Sequence, residues 1–84
     1  MYEVWLERGA ELDIKTLPDE IFQNIVANLR KLGENPRPFG CRKLSGSKND
    51  WRIRVGNYRI IYEIIENAKA VRIMRVRQRK DAYR

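Results

Sequence analysis

The feature that most constrains this chain is the run from Trp51 to Ile65, Trp-Arg-Ile-Arg-Val-Gly-Asn-Tyr-Arg-Ile-Ile-Tyr-Glu-Ile-Ile. Two stretches rich in strand-forming residues flank Gly56-Asn57, a strong two-residue signal for a tight hairpin. With Val55 and Tyr58 closing the turn, Arg54 faces Arg59, Ile53 faces Ile60, Arg52 faces Ile61 and Trp51 faces Tyr62. Side chains alternate along a strand, so Trp51, Ile53, Val55, Tyr58, Ile60, Tyr62 and Ile64 share one side, which must be a core face. The other side carries Arg52, Arg54 and Arg59. Like charges directly opposite on a sheet destabilise it by roughly 0.2–1 kcal/mol per pair, so folding alone would not set Arg54 across from Arg59. Two readings stand: an anion-binding surface suited to phosphate, which guanidinium's planar fork of donors matches, or the solvated outer face of a basic protein.

The charge distribution bears on that choice. Residues 1 to 34 hold four basic and seven acidic side chains, a net −3, whereas residues 35 to 84 hold fourteen basic and four acidic ones, a net +10; together they give the chain its +7. Such a concentration suggests nucleic acid or an acidic protein as partner. A membrane surface fits less well, because the basic residues fall on strands and not along an amphipathic helix. At 84 residues, with 43% hydrophobic and 35% charged side chains, the chain suits one small soluble domain spanning 1–84 better than a disordered tail. No window has the length of a transmembrane helix, and the amino-terminal residues lack the basic-then-apolar order of a signal peptide. Cys41 is the single cysteine and has no internal partner, so a reducing, cytoplasmic setting is expected.

In chain order, Tyr2 to Leu6 reads as a short strand and Ala10 to Lys15 as a helical turn. Ile14, Leu17, Ile21, Ile25, Leu29 and Leu32 recur at steps of three and four, which predicts a helix from about Pro18 to Leu32 with one apolar stripe for the core. Gly33 has the place of a carboxy-terminal cap, and Pro36 and Pro38 prevent continuation. Cys41 to Leu44 reads as a short strand before the Ser45 to Asp50 loop and the hairpin. Glu66 to Lys69 is a polar turn, and Ala70 to Val76 a last strand with Val71, Ile73, Met74 and Val76 available to the core. The fold class is therefore α+β: an amino-terminal strand, one or two helices, then a mostly antiparallel sheet of three to four strands.

The available chemistry is narrow. With no histidine and one cysteine, histidine-based triads and His-rich or Cys-rich zinc sites are excluded. No carboxylate cluster resembles a divalent-metal site, and no Gly-rich phosphate loop is present, so no metal and no cofactor are expected. One enzymatic possibility is RNA cleavage through the substrate's own 2′-hydroxyl. That reaction needs a group to take the 2′ proton, positive charge around the phosphorane and a donor for the leaving 5′-oxygen. A tyrosine serves as base if cations lower its pKa from about 10, and Tyr83 lies among Arg77, Arg79, Lys80 and Arg84. Taken alone, a basic terminus with a tyrosine is more often a plain docking surface.

Taken together, the striped helix, Asn-Pro-Arg-Pro-Phe-Gly, Arg-Lys-Leu-Ser-Gly, the Trp51 to Ile64 string and the closing Arg-x-Asp-x-Tyr-Arg resemble the RelE/ParE superfamily of bacterial toxins from type II toxin-antitoxin systems. The resemblance runs nearly end to end and is most specific from Lys43 to Glu63. It implies a microbial RNase-like fold and, for the RelE-like branch, a ribosome-dependent messenger RNA endoribonuclease acting in the A site. On that resemblance Arg59 is the transition-state arginine, Arg79 the donor to the leaving oxygen and Tyr83 the general base. Arg52 and Arg54 stand where RelE has lysines that bind the phosphate, and Lys43 and Arg77 join them as substrate-binding residues. Gln78 stands where many relatives carry histidine.

The implied partners are an acidic RelB-like antitoxin, anchored beside the apolar helix, and the ribosome with its messenger; no membrane is implied. The superfamily also holds ParE-like inhibitors of DNA gyrase with the same fold and no nuclease activity. Joint retention of Arg52, Arg54, Arg59, Arg79 and Tyr83 favours the RelE branch. A basic module without toxicity is the third reading.

Overall fold

The computed structural model describes residues 1–78. Its elements are β1 (Glu3–Leu6), α1 (Arg8–Lys15), α2 (Asp19–Glu34), β2 (Arg42–Lys43), β3 (Asp50–Val55), β4 (Tyr58–Ile65), a 3-10 turn (Glu66–Ala68) and β5 (Ala70–Gln78). The strands form one mixed sheet in the order β1-β5-β4-β3-β2. It holds five strands, more than the expected three to four, because β1 joins the sheet by pairing parallel to β5, while all other pairs are antiparallel.

The hairpin of β3 and β4 has the register that its sequence dictates: Trp51 opposite Tyr62, Arg52 opposite Ile61, Ile53 opposite Ile60, Arg54 opposite Arg59 and Val55 opposite Tyr58. Gly56 takes φ +60° at the first position of the turn, as a type II′ hairpin requires. Val55, Ile60, Tyr62 and Ile64 are buried with Val71, Ile73 and Val76 of β5, beneath Ala10 of α1 and Ile25, Leu29 and Leu32 of α2. Trp51, Ile53 and Tyr58 pack at the margin of this core. Both helices thus cover one face of the sheet, and no described helix covers the other.

α2 forms where the apolar stripe places it, with Asp19 and Glu20 in its first turn, where carboxylates favour the helix dipole. It runs to Glu34, so Gly33 is not a cap. Gly33 is buried inside the last turn, where a Cβ would meet the Tyr2 carbonyl oxygen at 3.0 Å and Val4 Cγ2 at 3.1 Å. The Tyr2 amide donates to the Gly33 carbonyl at 2.8 Å, and the glycine lets β1 approach the helix this closely.

The helical turn expected over Ala10 to Lys15 is a full helix, α1, and Ile14 belongs to it. β1 pairs with β5 only as far as Ile73. Beyond that point α1 lies against the strand edge: Asp13 accepts the Val76 amide at 2.9 Å and a two-bonded Arg75 guanidinium at 2.9 and 3.0 Å. No helix among the described residues is long and apolar enough to cross a membrane.

Candidate functional site

The face of the sheet that no described helix covers carries arginines in two adjacent rows. In an antiparallel sheet, directly opposed side chains share a face with Cβ atoms about 5 Å apart. Arg54, Arg59 and Arg77 are opposed across β3, β4 and β5 and form one row next to the hairpin turn. The next row runs Arg42, Arg52, Ile61 and Arg75 across β2 to β5. The third, Asp50, Glu63 and Arg72, brings in carboxylates and closes the cationic patch.

Arg77 reaches its row through a β-bulge. The register of β4 with β5 shifts between Ile61 and Tyr62, so that Ile61 faces Arg75 and Tyr62 faces Ile73, with Met74 left over between them. Strict alternation from Val71 and Ile73 would have put Arg77 on the core side. The extra residue returns Val76 to the core, where it is 3% exposed, and turns Arg77 to the arginine face. Met74, expected in the core, is accordingly only half-buried. Bulges commonly re-aim side chains in this way next to functional sites.

Arg59 occupies the middle of the first row and is 2% exposed. A solvated outer face would have left it in water, so that reading does not describe this position. Its directly opposed cross-strand neighbours, Arg54 and Arg77, are both cations.

The other arginines divide by partner. Arg37 pairs with Glu66 at 2.9 Å, Arg72 with Glu63 and Glu7, and Arg75 with Asp13. Arg42, Arg52, Arg54 and Arg77 have no carboxylate within ion-pairing distance among the described residues. The chain thus neutralises arginines that tie loops and helices together and leaves Arg42, Arg52, Arg54 and Arg77 available to an external anion. Sequence reading did not separate these classes, because each pairing acid lies on a different element from its arginine.

Lys43 is not part of this face. It opposes Trp51, and directly opposed residues share a side, so it stands on the helix side of the edge strand. Arg79 and Tyr83 lie outside the described residues. Among the described tyrosines, Tyr62 is unsuited to proton abstraction: its hydroxyl donates to the Pro36 carbonyl at 2.8 Å. Burial, reinforced by neighbouring Cys41, also pushes it well above the usual phenol range. Tyr2 donates its hydroxyl to Glu66 at 2.6 Å, away from the rows. Tyr58, on the core side, has the Gln78 amide 3.4 Å from its hydroxyl. Among the described residues no group of three or more acidic or cysteine side chains is placed to hold a metal ion. A cleft of about 470 Å³ lies between the start of α2 and the hairpin turn, walled by Glu20, Ile21, Asn24, Val55 and Tyr58.

Comparison with known proteins places this geometry. The family model described as the ParE toxin of the type II toxin-antitoxin system parDE matches residues 4–83. The RelE-RelB complex of the archaeon Pyrococcus horikoshii is similar at 26% identity and a TM-score of 0.83, over 96% of this chain and 98% of that one. The toxin-antitoxin complex RelBE2 of Mycobacterium tuberculosis is similar at 28% identity and a TM-score of 0.82, over 93% and 98%. A protein of Methanocaldococcus jannaschii, named as a candidate toxin RelE1, is 26% identical over 86 residues, which cover 99% of this chain and 96% of its own.

Proposed function

Because the chain belongs to the ParE toxin family of type II toxin-antitoxin systems, and its similar solved structures are RelE toxins, we propose that it is the RelE-like kind of toxin. In this reading it is a ribosome-dependent endoribonuclease that cleaves messenger RNA in the A site. The observation that carries the reading is the row of Arg54, Arg59 and Arg77, three cations in register with the central one buried. Cations opposed in this way repel one another, and an anion held against the row relieves that repulsion.

The chemistry follows from the reaction. The 2′-oxygen gives up its proton and bonds to phosphorus, the bond from phosphorus to the 5′-oxygen breaks, and that oxygen takes a proton. The products are a 2′,3′-cyclic phosphate and a free 5′-hydroxyl. Charge grows on the non-bridging oxygens in between, and preorganised donors act most strongly there. Arg59 is assigned that stabilisation, with Arg54 and Arg77 holding the same phosphate and Arg52 binding the RNA backbone next to it. Tyr83 is assigned as the base, its proton loosened by surrounding cations, and Arg79 as the donor to the leaving oxygen. Lys43 has no part, because it stands on the other face. The ribosome supplies substrate orientation.

The partner that silences the toxin is an acidic RelB-like antitoxin, whose carboxylates match the rows and whose apolar side chains match the cleft beside α2. Primer extension on a defined messenger programmed on 70S ribosomes tests the activity. Cuts confined to the A-site codon, lost in Tyr83→Phe and Arg59→Ala, are expected. The family model's name keeps a second reading in view, a ParE-like gyrase inhibitor. An intact messenger together with arrested supercoiling by purified gyrase would establish that reading in place of the nuclease.

A further inference from the structure

The first row alone would accommodate one phosphate, yet the patch continues. Arg42 and Arg52 are opposed across β2 and β3, on the same face as Arg54. Their row lies two residues along β3, a displacement of about 6.7 Å at the usual rise per residue. Arg42 is exposed and Arg52 half-buried, and neither has an ion-pair partner among the described residues. On β4 the intervening position is Ile61, and at the far end Arg75 is bound by Asp13. The pair is thus a separate cationic site at one end of its row. One row further on, Glu63 is held by Arg72, beside Asp50, so the track ends there.

We propose that Arg42 and Arg52 form a second phosphate subsite, which takes the phosphodiester adjacent to the one held by Arg54, Arg59 and Arg77. The ligand is single-stranded RNA laid across the strands, its backbone following the two rows as single-stranded chains follow basic grooves. The inference rests on RNA being the ligand of the first row. It adds Arg42 to the substrate-binding residues and makes at least two consecutive phosphates part of recognition.

The test uses the full chain and non-cleavable 2′-O-methyl oligonucleotides, so that neither cleavage nor the ribosome enters the readout. Fluorescence anisotropy gives the affinity of a dinucleotide with one phosphate and a tetranucleotide with three, across a range of salt concentrations. For a single strand each neutralised phosphate contributes about 0.7 to the slope of log affinity against log salt. Arg42→Gln is expected to reduce the tetranucleotide slope by about 0.7 and to leave the dinucleotide slope unchanged. Lys48→Gln, which removes an exposed positive charge from the loop before β3, should change neither. An Arg42→Gln effect equal to that of Lys48→Gln overturns the subsite, as does a loss of equal size on the dinucleotide. Arg54→Gln separates the two levels: if it weakens both oligonucleotides while Arg42→Gln weakens neither, the second subsite fails and the first row stands. If neither variant has any effect, the phosphate reading fails as a whole.

Discussion

Replacing Arg54 by glutamine should make the protein more stable and less active, and the two effects have one cause. Arg54 is exposed and directly opposite the buried Arg59. Glutamine keeps much of the side chain's length and its hydrogen-bonding capacity, and removes only the charge. A like-charge pair directly opposed on a sheet costs roughly 0.2–1 kcal/mol. In a domain of this size each kcal/mol moves the melting temperature by about 4–8 °C, so Arg54→Gln should melt about 1–8 °C above the parent in low salt. At 1 M salt the screening length falls to about 3 Å, shorter than the cross-strand separation, and the gain should largely disappear.

Arg54→Lys keeps the charge and should show no such gain. In ribosome-programmed primer extension Arg54→Gln should cut more slowly than the parent, because one phosphate contact is lost. A melting temperature unchanged or lowered at both salt concentrations, with undiminished cleavage, would refute the argument that the row is electrostatically strained for the sake of an anion.

Gly33→Ala should destabilise the fold although alanine is the better helix former by about 1 kcal/mol, because its Cβ would meet the Tyr2 carbonyl 3.0 Å away; a raised melting temperature would contradict this. Asp13→Ala removes the acceptor of the Val76 amide and of the two Arg75 bonds. After allowance for the partial exposure of the pair, a loss of about 2 kcal/mol is expected, read as a lower midpoint in urea. Glu66 is held below the usual carboxylate range by hydrogen bonds from Tyr2 and Arg37. A lowered folded-state value means that its contribution is present at neutral pH and lost as pH falls through that value. The difference in melting temperature between the parent and Glu66→Gln should therefore shrink on acidification below the normal glutamate range.

The hairpin was legible from sequence because two independent signals agree there: the period-two alternation and the Gly56-Asn57 turn each specify the same register. The apolar stripe of α2 was legible for the same reason. The bulge at Met74 was not, since no glycine or proline marks it and either phase of β5 offers apolar residues to the core. Its consequence, Arg77 beside Arg59, follows only once the strands are paired. Gly33 was misread because local rules favour glycine as a cap, whereas its actual reason is β1, some thirty residues away in sequence. The partition of arginines into paired and available ones was invisible for a similar reason: Asp13 and Arg75 are 62 residues apart.

That partition explains more than net charge does. A formal +7 is compatible with any basic surface, and arginines scattered for solubility would pair or project into water wherever they fell. Here the arginines that meet Glu66, Glu63, Glu7 and Asp13 secure a loop, a hairpin and α1. Arg42, Arg52, Arg54 and Arg77, which have no such partner among the described residues, fall in two neighbouring rows on the face that no described helix covers. An anion bound there meets cations whose mutual repulsion it relieves, so binding and folding become linked: whatever occupies the rows should also stabilise the protein. On the proposed function, an acidic antitoxin and an RNA compete for these rows, so the antitoxin that masks them should both silence the activity and raise the protein's stability.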